Sequence, residues 1–189
     1  MKETRPRVPP GQFVTEKFPV LTYGTTPRIE LKDWRLQLAG LVTRPIDLTW
    51  EQLLALPQVK IVADFHCVTR WTRLNNEWEG VRFREVAKLA QPQPEARFVA
   101  VSCYGGYTTN LELEALLDED VLLAHRHNGQ ELAPDHGGPL RLVVAKRYGW
   151  KSAKWVHVVE FLAEDQPGFW ETHGYNNVAD PWREERFSE

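Results

Sequence analysis

Short apolar runs, each broken by glycine, proline or a basic turn, constrain the fold of this chain more than any other feature of its sequence. Six segments have the alternating or continuously apolar character of strands. They span residues 29–41, 59–65, 97–103, 121–124, 140–145 and 155–162. Three short helical patterns lie between them, at residues 49–56, 84–90 and 111–117. Strands and helices do not alternate regularly, so the sequence predicts an α+β fold, a single mixed domain of several sheets with short helices.

Two local motifs place turns within this pattern. Thr49 is followed three residues later by Gln52, a capping-box arrangement that predicts the start of a short helix, which Pro57 ends. The pair Asn128-Gly129 is typical of a two-residue hairpin turn and predicts that two strands meet there.

Length and composition exclude several classes of protein. The 189 residues suffice for one domain, which we expect over residues 21–189 behind a proline-rich arm at residues 1–20. A net charge of −3 gives no overall attraction to nucleic acid. No stretch approaches the roughly 20 apolar residues that a membrane helix requires, so no membrane segment is expected.

The N-terminal residues favour a cytoplasmic location. Residues 1–10 contain neither an apolar signal core nor adjacent arginines. A periplasmic location is the alternative if a signal peptide was removed. In a reducing cytosol, Cys67 and Cys103 are expected to remain unpaired.

Cys67 is the first candidate for chemistry. It follows an apolar run and has His66, Arg70 and Arg73 close in sequence. A thiolate is a soft metal ligand, and neighbouring cations lower the pKa of a thiol. The pattern therefore indicates a ligand or a nucleophile. The alternative is a small buried apolar residue, which is a common role for a free cysteine.

Residues 101–110 form a second candidate loop. Gly105 and Gly106 allow a backbone to approach a ligand closely and to expose its amides, and Tyr107 follows them. The alternative, which the loop by itself favours, is a tight turn with a packed tyrosine.

Residues 133–141 form a third loop. His136 and Arg141 lie on either side of Gly137-Gly138, and arginine offers a planar fork of donors to an oxyanion or phosphate. The alternative is a solvated turn with a surface arginine.

Residues 147–155 form a fourth loop. Lys151, Ser152 and Lys154 follow a glycine, and such a segment suits an anion. The alternative is a basic hairpin. The frame of a phosphate-binding P-loop is absent.

A cysteine-dependent hydrolase is one function that these residues leave open. It requires Cys67 or Cys103 beside a histidine base. His66 is next to Cys67, and on a strand the two side chains would point to opposite faces. His136 remains available as the base.

Taken in order, the four loops resemble the molybdopterin-binding domain of the sulfite oxidase family, especially the small bacterial sulfite oxidase-like oxidoreductases. The resemblance runs from about Phe18 to Trp182. It rests on residues 18–24, 64–71, 105–111, 136–141 and 150–155. It implies the fold of that domain and a molybdopterin cofactor carrying molybdenum.

The resemblance also implies roles for single residues. Cys67 would be the protein's thiolate ligand to the metal, and Tyr107 would orient a substrate oxyanion. Arg70, with Arg73, would add positive potential for the substrate; salt bridges to nearby glutamates are the alternative for both. The remaining cofactor-binding residues implied are Tyr23, His136, Arg141, Lys151, Ser152 and Lys154.

The function implied is an oxidoreductase that moves an oxygen atom to or from a small sulfur oxyanion or S-oxide. A non-catalytic cofactor carrier is the alternative. No haem-attachment motif is present, so we expect a separate electron-transfer partner, either a haem protein or a small carrier. The immunoglobulin-like dimerisation domain of larger relatives is absent from the sequence, which predicts a monomer.

Overall fold

A computed structural model of the protein describes residues 6–188, so the first five residues of the predicted arm and the last residue of the chain lie outside the described residues. The strands are β1 (Phe13–Val14), β2 (Arg35–Gly40), β3 (Ile46–Thr49), β4 (Gln58–His66), β5 (Trp71–Arg82), β6 (Phe98–Cys103), β7 (Thr108–Glu112), β8 (Val121–His127), β9 (Gln130–Glu131), β10 (Arg141–Val144) and β11 (Val156–Leu162). The α-helices are α1 (Trp50–Leu54), α2 (Phe83–Ala90), α3 (Leu113–Leu116) and α4 (Phe169–Thr172). Short 3-10 turns cover Pro134–His136, Gly149–Lys151 and Pro181–Arg183.

The strands form two mixed sheets. The first has the order β1-β5-β8-β10, with β4 also paired to β5 and β9 to β8. The second has the order β3-β2-β11-β6-β7. Only β1 with β5 and β2 with β11 pair in parallel among the described strands. Mixed sheets with short helices confirm the predicted α+β class.

The first sheet contributes to two apolar cores because neighbouring side chains of a strand point to opposite faces. Leu123 of β8 and Leu142 of β10 belong to the main core, which includes the second sheet and α2. Leu122 and Val143 face the other way, into a smaller aromatic core built around residues 65–78. This second face forms the base on which the candidate site is built.

Most of the predicted elements are confirmed. β4, β6, β8, β10 and β11 fall within or around the predicted apolar runs. The Thr49–Gln52 capping box is formed at the start of α1. Asn128 and Gly129 have positive φ angles of 49° and 76° and join β8 to β9.

Two predictions about elements are wrong, and the longest strand was missed. The longest strand, β5, was not predicted because polar groups interrupt its apolar pattern; Thr72 and Asn76 on it are fully buried and hydrogen-bonded. Residues 29–34, predicted as strand, form irregular chain and a turn before β2. Residues 111–112 end β7, and the predicted helix there shortens to α3.

The described part of the arm packs along β5 and ends above the aromatic core. The amides of Phe13 and Thr15 donate to the carbonyls of Arg70 and Thr72, both at 2.9 Å. Phe18 then lies edge-on to Phe65, with ring centroids 5.2 Å apart. The arm therefore closes one side of the site.

Candidate functional site

A cavity of about 300 Å³ lies above the aromatic core. The arm, the turn after β4, the start of β7, the turns on either side of β10 and the C-terminal tail all contribute to its wall. Of the residues predicted for the site, those that line it are Tyr23, Cys67, Tyr107, His136, Arg141, Ser152 and Lys154. Segments far apart in sequence are thus brought to one place.

Cys67 begins the turn that joins β4 to β5. Its amide donates to the carbonyl of Trp71 at 2.9 Å, and its sulfur lies 3.1 Å from the Thr69 hydroxyl oxygen. Burial raises the pKa of the thiol, while the Thr69 hydrogen bond and the charge of Arg186 oppose that rise. A free Cys67 is therefore neutral near pH 7 and a weak nucleophile, and its thiolate requires a cationic partner.

Arg141, at the start of β10, is a buried cation without a carboxylate partner among residues 6–188. Its Nη1 and Nη2 donate to the carbonyls of His136 and Ser152, both at 2.9 Å, and its Nε has no acceptor in this part of the chain. Burial lowers its pKa to about 10, so the group stays charged at neutral pH. Such a charge requires a compensating anion.

Lys154 adds a second cation to the same wall. Its Nζ donates to the Thr22 hydroxyl at 2.7 Å and to the Asp135 carbonyl at 2.6 Å. Burial and the neighbouring Arg141 lower its pKa to about 8. Gly137, with φ of 107°, sits between the two cations: a β-carbon there would lie 3.0 Å from that of Arg141 and 3.1 Å from that of Lys154. A larger residue would push the two cations apart.

His136 lies flat against Phe18, with ring centroids 4.6 Å apart. Burial, together with the charges of Arg141 and Lys154, lowers the pKa of the imidazole. His136 is therefore a neutral hydrogen-bonding group in a positive field. The alternative for this loop, a solvated turn with a surface arginine, is wrong because Arg141 is buried.

Tyr107 lines the cavity at the start of β7. Its hydroxyl donates to the Trp150 carbonyl at 2.7 Å. Burial and the charge of Glu171 raise its pKa well above the ordinary value, so the phenol is neutral. Gly105 and Gly106, by contrast, are exposed with open space around them. These glycines serve the turn alone.

Lys151 and Ser152 occupy different positions despite being neighbours. Ser152 lines the cavity, and its hydroxyl oxygen accepts from the Val144 amide at 3.0 Å. Lys151 is buried below the wall, where its Nζ lies 2.6 Å from Glu171 and 2.7 Å from the Asn110 carbonyl. The Lys151 ammonium, which was predicted to contact the cofactor, therefore binds groups of the protein instead.

Arg70 also lies apart from the cavity. Its φ of 73° turns the residue to the outer face of the loop, where it is exposed. Arg73 donates to the Glu16 carbonyl and to Asn76, and within residues 6–188 neither arginine forms the salt bridges considered as the alternative. The substrate-binding role predicted for Arg70 gains no support from this position.

Several residues of the wall were not predicted as site residues. Trp150 and Trp170 line the cavity, with Tyr175 and Phe18. Trp170 and Tyr175 belong to the aromatic C-terminal tail, part of which therefore forms this wall. The only signal for it was the density of aromatic residues after Pro167.

The cationic wall fits an anionic, phosphate-bearing cofactor. The charge of Arg141 lowers the pKa of Lys154, and Arg141 retains a buried N–H without an acceptor in the described chain. Among residues 6–188, no three histidine, cysteine or acidic side chains come together as a metal site. None of the described helices is both long and apolar enough to cross a bilayer.

Residues 23–170 match the family described as the oxidoreductase molybdopterin binding domain. The chain belongs to this family. Its cofactor is a molybdopterin, and the predicted resemblance is confirmed. The cysteine-dependent hydrolase finds no support in this result.

Related proteins span a range of lengths around this oxidoreductase domain. The uncharacterized oxidoreductase YuiH of Bacillus subtilis is 47% identical over 183 residues, which cover 96% of this chain and 92% of the relative. The protein-methionine-sulfoxide reductase catalytic subunit MsrP of Campylobacter jejuni is 28% identical, over 75% of this chain and 53% of its own. The chain thus spans about half the length of that relative.

A solved structure has the same architecture. The sulfane dehydrogenase SoxCD from Paracoccus pantotrophus matches with a TM-score of 0.68 and 26% identity, covering 74% of this chain and 41% of that one. The predicted fold of the molybdopterin-binding domain is thereby confirmed.

Proposed function

We propose that this oxidoreductase removes an oxygen atom from a small, uncharged S-oxide, with Cys67 bound to molybdenum. One observation carries the proposal: the thiol of Cys67 and the incompletely paired guanidinium of Arg141 line the same cavity. When bound, the molybdenum cofactor supplies two-electron oxygen-atom transfer. The net reaction consumes two electrons and two protons and releases the sulfide and water.

The cationic wall would hold the cofactor's anionic part. Arg141 has an unused Nε–H, and Lys154 is an ammonium in a partly buried setting. Charge-assisted hydrogen bonds from such groups to phosphate are strong. His136, Ser152 and Tyr23 would complete the contacts to the less charged part of the cofactor.

Cys67 is supported as the metal ligand by its surroundings. Cys103 is buried at the end of β6 and does not line the cavity, which leaves Cys67 as the one thiol of the described chain exposed to it. Because burial raises the pKa of Cys67, its thiolate gains most from a directly bound cation.

The neighbourhood of Cys67 favours an uncharged substrate. Val68, Thr69, Trp170 and Tyr175 line the cavity and carry no charge, and Arg70 lies outside it. A dianion would lose hydration there without gaining a guanidinium partner. Tyr107 donates its proton to the Trp150 carbonyl, so it would have to turn from that carbonyl to donate to the oxygen of an S-oxide.

Two relatives support an S-oxide substrate through their names. MsrP of Campylobacter jejuni and the putative subunit YedZ1 of Azospira oryzae are both named as protein-methionine-sulfoxide reductases, and YedZ1 is 29% identical over 88% of this chain. An oxyanion is the second candidate. It is favoured by the cations of the cavity and by the NADH-dependent nitrate reductase of Ulva prolifera, 29% identical over 86% of this chain but only 22% of its own.

Electrons would come from a separate carrier. MsrP and YedZ1 are both named as subunits, which supports a partner for this chain as well. A haem protein or a small soluble carrier remains the prediction. The monomeric state and the cytoplasmic location also stay predictions.

The test uses protein purified from a host that makes molybdopterin. Initial rates would be measured for an alkyl or aryl sulfoxide and for nitrate with reduced viologen, and for sulfite with ferricyanide. We expect turnover of the sulfoxide at a rate well above the other two. Faster turnover of nitrate or sulfite would replace the S-oxide proposal with the oxyanion one. Bound cofactor with no turnover of any of the three would indicate a carrier.

A further inference from the structure

The outer face of the Cys67 turn carries a second group of buried polar atoms that the cavity does not use. The Tyr148 hydroxyl, the Arg186 Nε and Nη2 and the Gln12 Oε1 have no hydrogen-bond partner within residues 6–188. Tyr148 is 0% and Arg186 6% exposed. None of the three residues lines the cavity. Buried donors and acceptors without partners are costly unless a ligand or water satisfies them.

These groups converge on one place. The Arg186 guanidinium lies over the Tyr148 ring, 4.8 Å from its centroid, and its Nη1 donates to the Val68 carbonyl at 2.7 Å. This leaves free the edge formed by Nε and Nη2, which is the fork that binds an oxyanion through two parallel hydrogen bonds.

Gly11 lies beside this edge. A β-carbon on Gly11, whose φ is 67°, would lie 3.1 Å from Arg70 Nη1, 3.3 Å from Arg186 Nη2 and 2.6 Å from Glu184 Oε1. The two guanidinium groups therefore approach the same point from different segments of the chain.

The charges around this point do not cancel. Glu184 Oε1 lies 3.8 Å from Arg186 Nη2, too far for a hydrogen bond, and the carboxylate side chain is 49% exposed. The Arg70 side chain forms no hydrogen bond or ion pair with any residue that the structure describes. Two guanidinium groups, one buried and one exposed, thus face one loosely held carboxylate.

We propose that Arg70, Arg186 and Tyr148 bind a small oxyanion of the sulfate or phosphate type, at a site separate from the cavity. The Arg186 fork would hold two of its oxygens, and the Tyr148 hydroxyl and Arg70 would donate to the others. Gln12 Oε1 would accept a hydrogen bond from a protonated anion or from a water. The Arg186 Nε and Nη2 and the Tyr148 hydroxyl have no hydrogen-bond partner of good geometry in the described chain, although the Gln12 side chain lies near that hydroxyl.

An anion bound at this site would also affect the turn that carries Cys67. Gln12 Nε2 donates to the Cys67 carbonyl at 3.0 Å, and Arg186 holds the Val68 carbonyl. A bound anion would fix both side chains and so brace the turn that carries Cys67. Binding to the native state alone raises thermal stability with ligand concentration.

The test measures sulfate and phosphate binding to the holoenzyme by calorimetry and by the shift in Tm, at constant ionic strength with chloride as the reference. The variants are Arg70→Ala, which removes an exposed and unpaired group, and Tyr148→Phe, which removes an unpaired hydroxyl. We expect saturable binding that each substitution weakens about tenfold, the loss typical of one charge-assisted hydrogen bond. Arg183→Ala is the matched control, because that exposed arginine pairs with Glu185.

Lys154→Met separates this site from the cavity. Sulfate binding that Lys154→Met abolishes, and that Arg70→Ala and Tyr148→Phe leave intact, would place the anion in the cavity and overturn the proposal. The absence of saturable binding to the wild type would also overturn it. A selenate-soaked crystal with an anomalous peak between Arg70 and Arg186 would support it directly.

Discussion

Arg141 shows how one residue sets the requirements of the site. Its guanidinium lies 5.3 Å from the ring centroids of both Phe65 and Trp78, so aromatic faces supply part of the stabilisation that water would give. Hydrogen bonds to the carbonyls of His136 and Ser152 fix the plane of the group, but its charge has no carboxylate partner among the described residues. The anionic group of the cofactor would supply the counter-charge that Arg141 lacks.

Cys67 and Cys103 form a matched pair for testing the metal ligand. Both are buried free thiols, at 7% and 3% exposure, and only Cys67 lines the cavity. We expect Cys67→Ser to retain much of the pterin, because the cationic wall is unchanged, but to lower S-oxide turnover at least about a hundredfold. X-ray absorption at the molybdenum edge should show one sulfur ligand fewer.

Cys103→Ser is expected to leave the metal spectrum of the holoenzyme unchanged. A Cys67→Ser protein with an unchanged number of sulfur ligands would contradict the assignment. Equal spectral changes in both variants would point to general disruption of the fold.

Lys154 gives the site a pH dependence with a definite sign. Its pKa is lowered to about 8 without an anion, and a bound anion raises the pKa because it favours the charged form. Anion binding is therefore strongest below pH 8 and weakens as the pH rises above it. We expect cofactor retention after gel filtration to be flat between about pH 6 and 8 and to fall at higher pH.

Lys154→Met should retain less cofactor at pH 7 and lose this pH dependence. Lys146→Met is the control, since Lys146 is exposed and paired with Asp118 at 2.6 Å. Unchanged retention in Lys154→Met would remove Lys154 from the cofactor site.

At the scale of elements, a buried ion pair joins α4 to the turn at Gly149–Lys151. Glu171 lies 2.6 Å from Lys151, with both side chains 1% exposed, and also accepts from the Trp150 indole and the Thr109 hydroxyl at 3.0 Å. Its Oε2 has no partner in the described chain. The pair therefore fixes α4, which carries Trp170, against the wall of the cavity.

Breaking the Lys151–Glu171 ion pair should lower the free energy of unfolding substantially. Glu171→Gln leaves a buried ammonium without its counter-charge, and we expect the free energy of unfolding to fall by about 3–5 kcal/mol in urea titrations. Asp118→Asn, which breaks the exposed pair with Lys146, should cost less than about 1 kcal/mol. Equal losses in the two variants would show that burial of the pair has no energetic consequence.

Sequence reasoning succeeded where one short motif determines an element or a side chain's position. The capping box at Thr49 and the Asn128-Gly129 turn are local, and β10 has three consecutive apolar residues after Arg141. It failed for β5, because the buried polar groups of that strand have partners on other segments. Thr72, for example, bonds with His66, a contact that no local pattern of residues indicates.

The same limit separates the predicted from the unpredicted site residues. Cys67, His136 and Arg141 belong to recognisable loops and do line one cavity. Lys151 belongs to such a loop too, but its partner Glu171 lies twenty residues later and draws the ammonium away. Trp170 reached the wall through the packing of α4, which depends on the whole tertiary structure.

At the scale of the molecule, the arm is a structural part of the site. Phe18 contacts Phe65, Trp71 and Trp78 within 6.0 Å and stacks on His136. Deleting residues 1–20 should lower the free energy of unfolding by about 2 kcal/mol or more, because this partly buried aromatic contact is lost. Cofactor retention should fall with it.

Deleting residues 1–10 is the comparison, since it removes the Arg7–Asp64 ion pair and the Pro6–Trp182 hydrogen bond but keeps β1 and Phe18. Chemical unfolding of the two truncated proteins provides the comparison. If both deletions have the same effect, the contacts of residues 11–20 do not account for it.

Two segments from opposite ends of the chain meet beside the turn that carries Cys67. The Trp182 indole donates to the Pro6 carbonyl at 2.6 Å, while Gln12 and Arg186 hold adjacent carbonyls of that turn. A redox protein genetically fused to either end through a short flexible linker would begin its diffusive search within a few residues of the reactive centre. The high local concentration of a tethered donor makes such chimeras a practical route to self-sufficient catalysts.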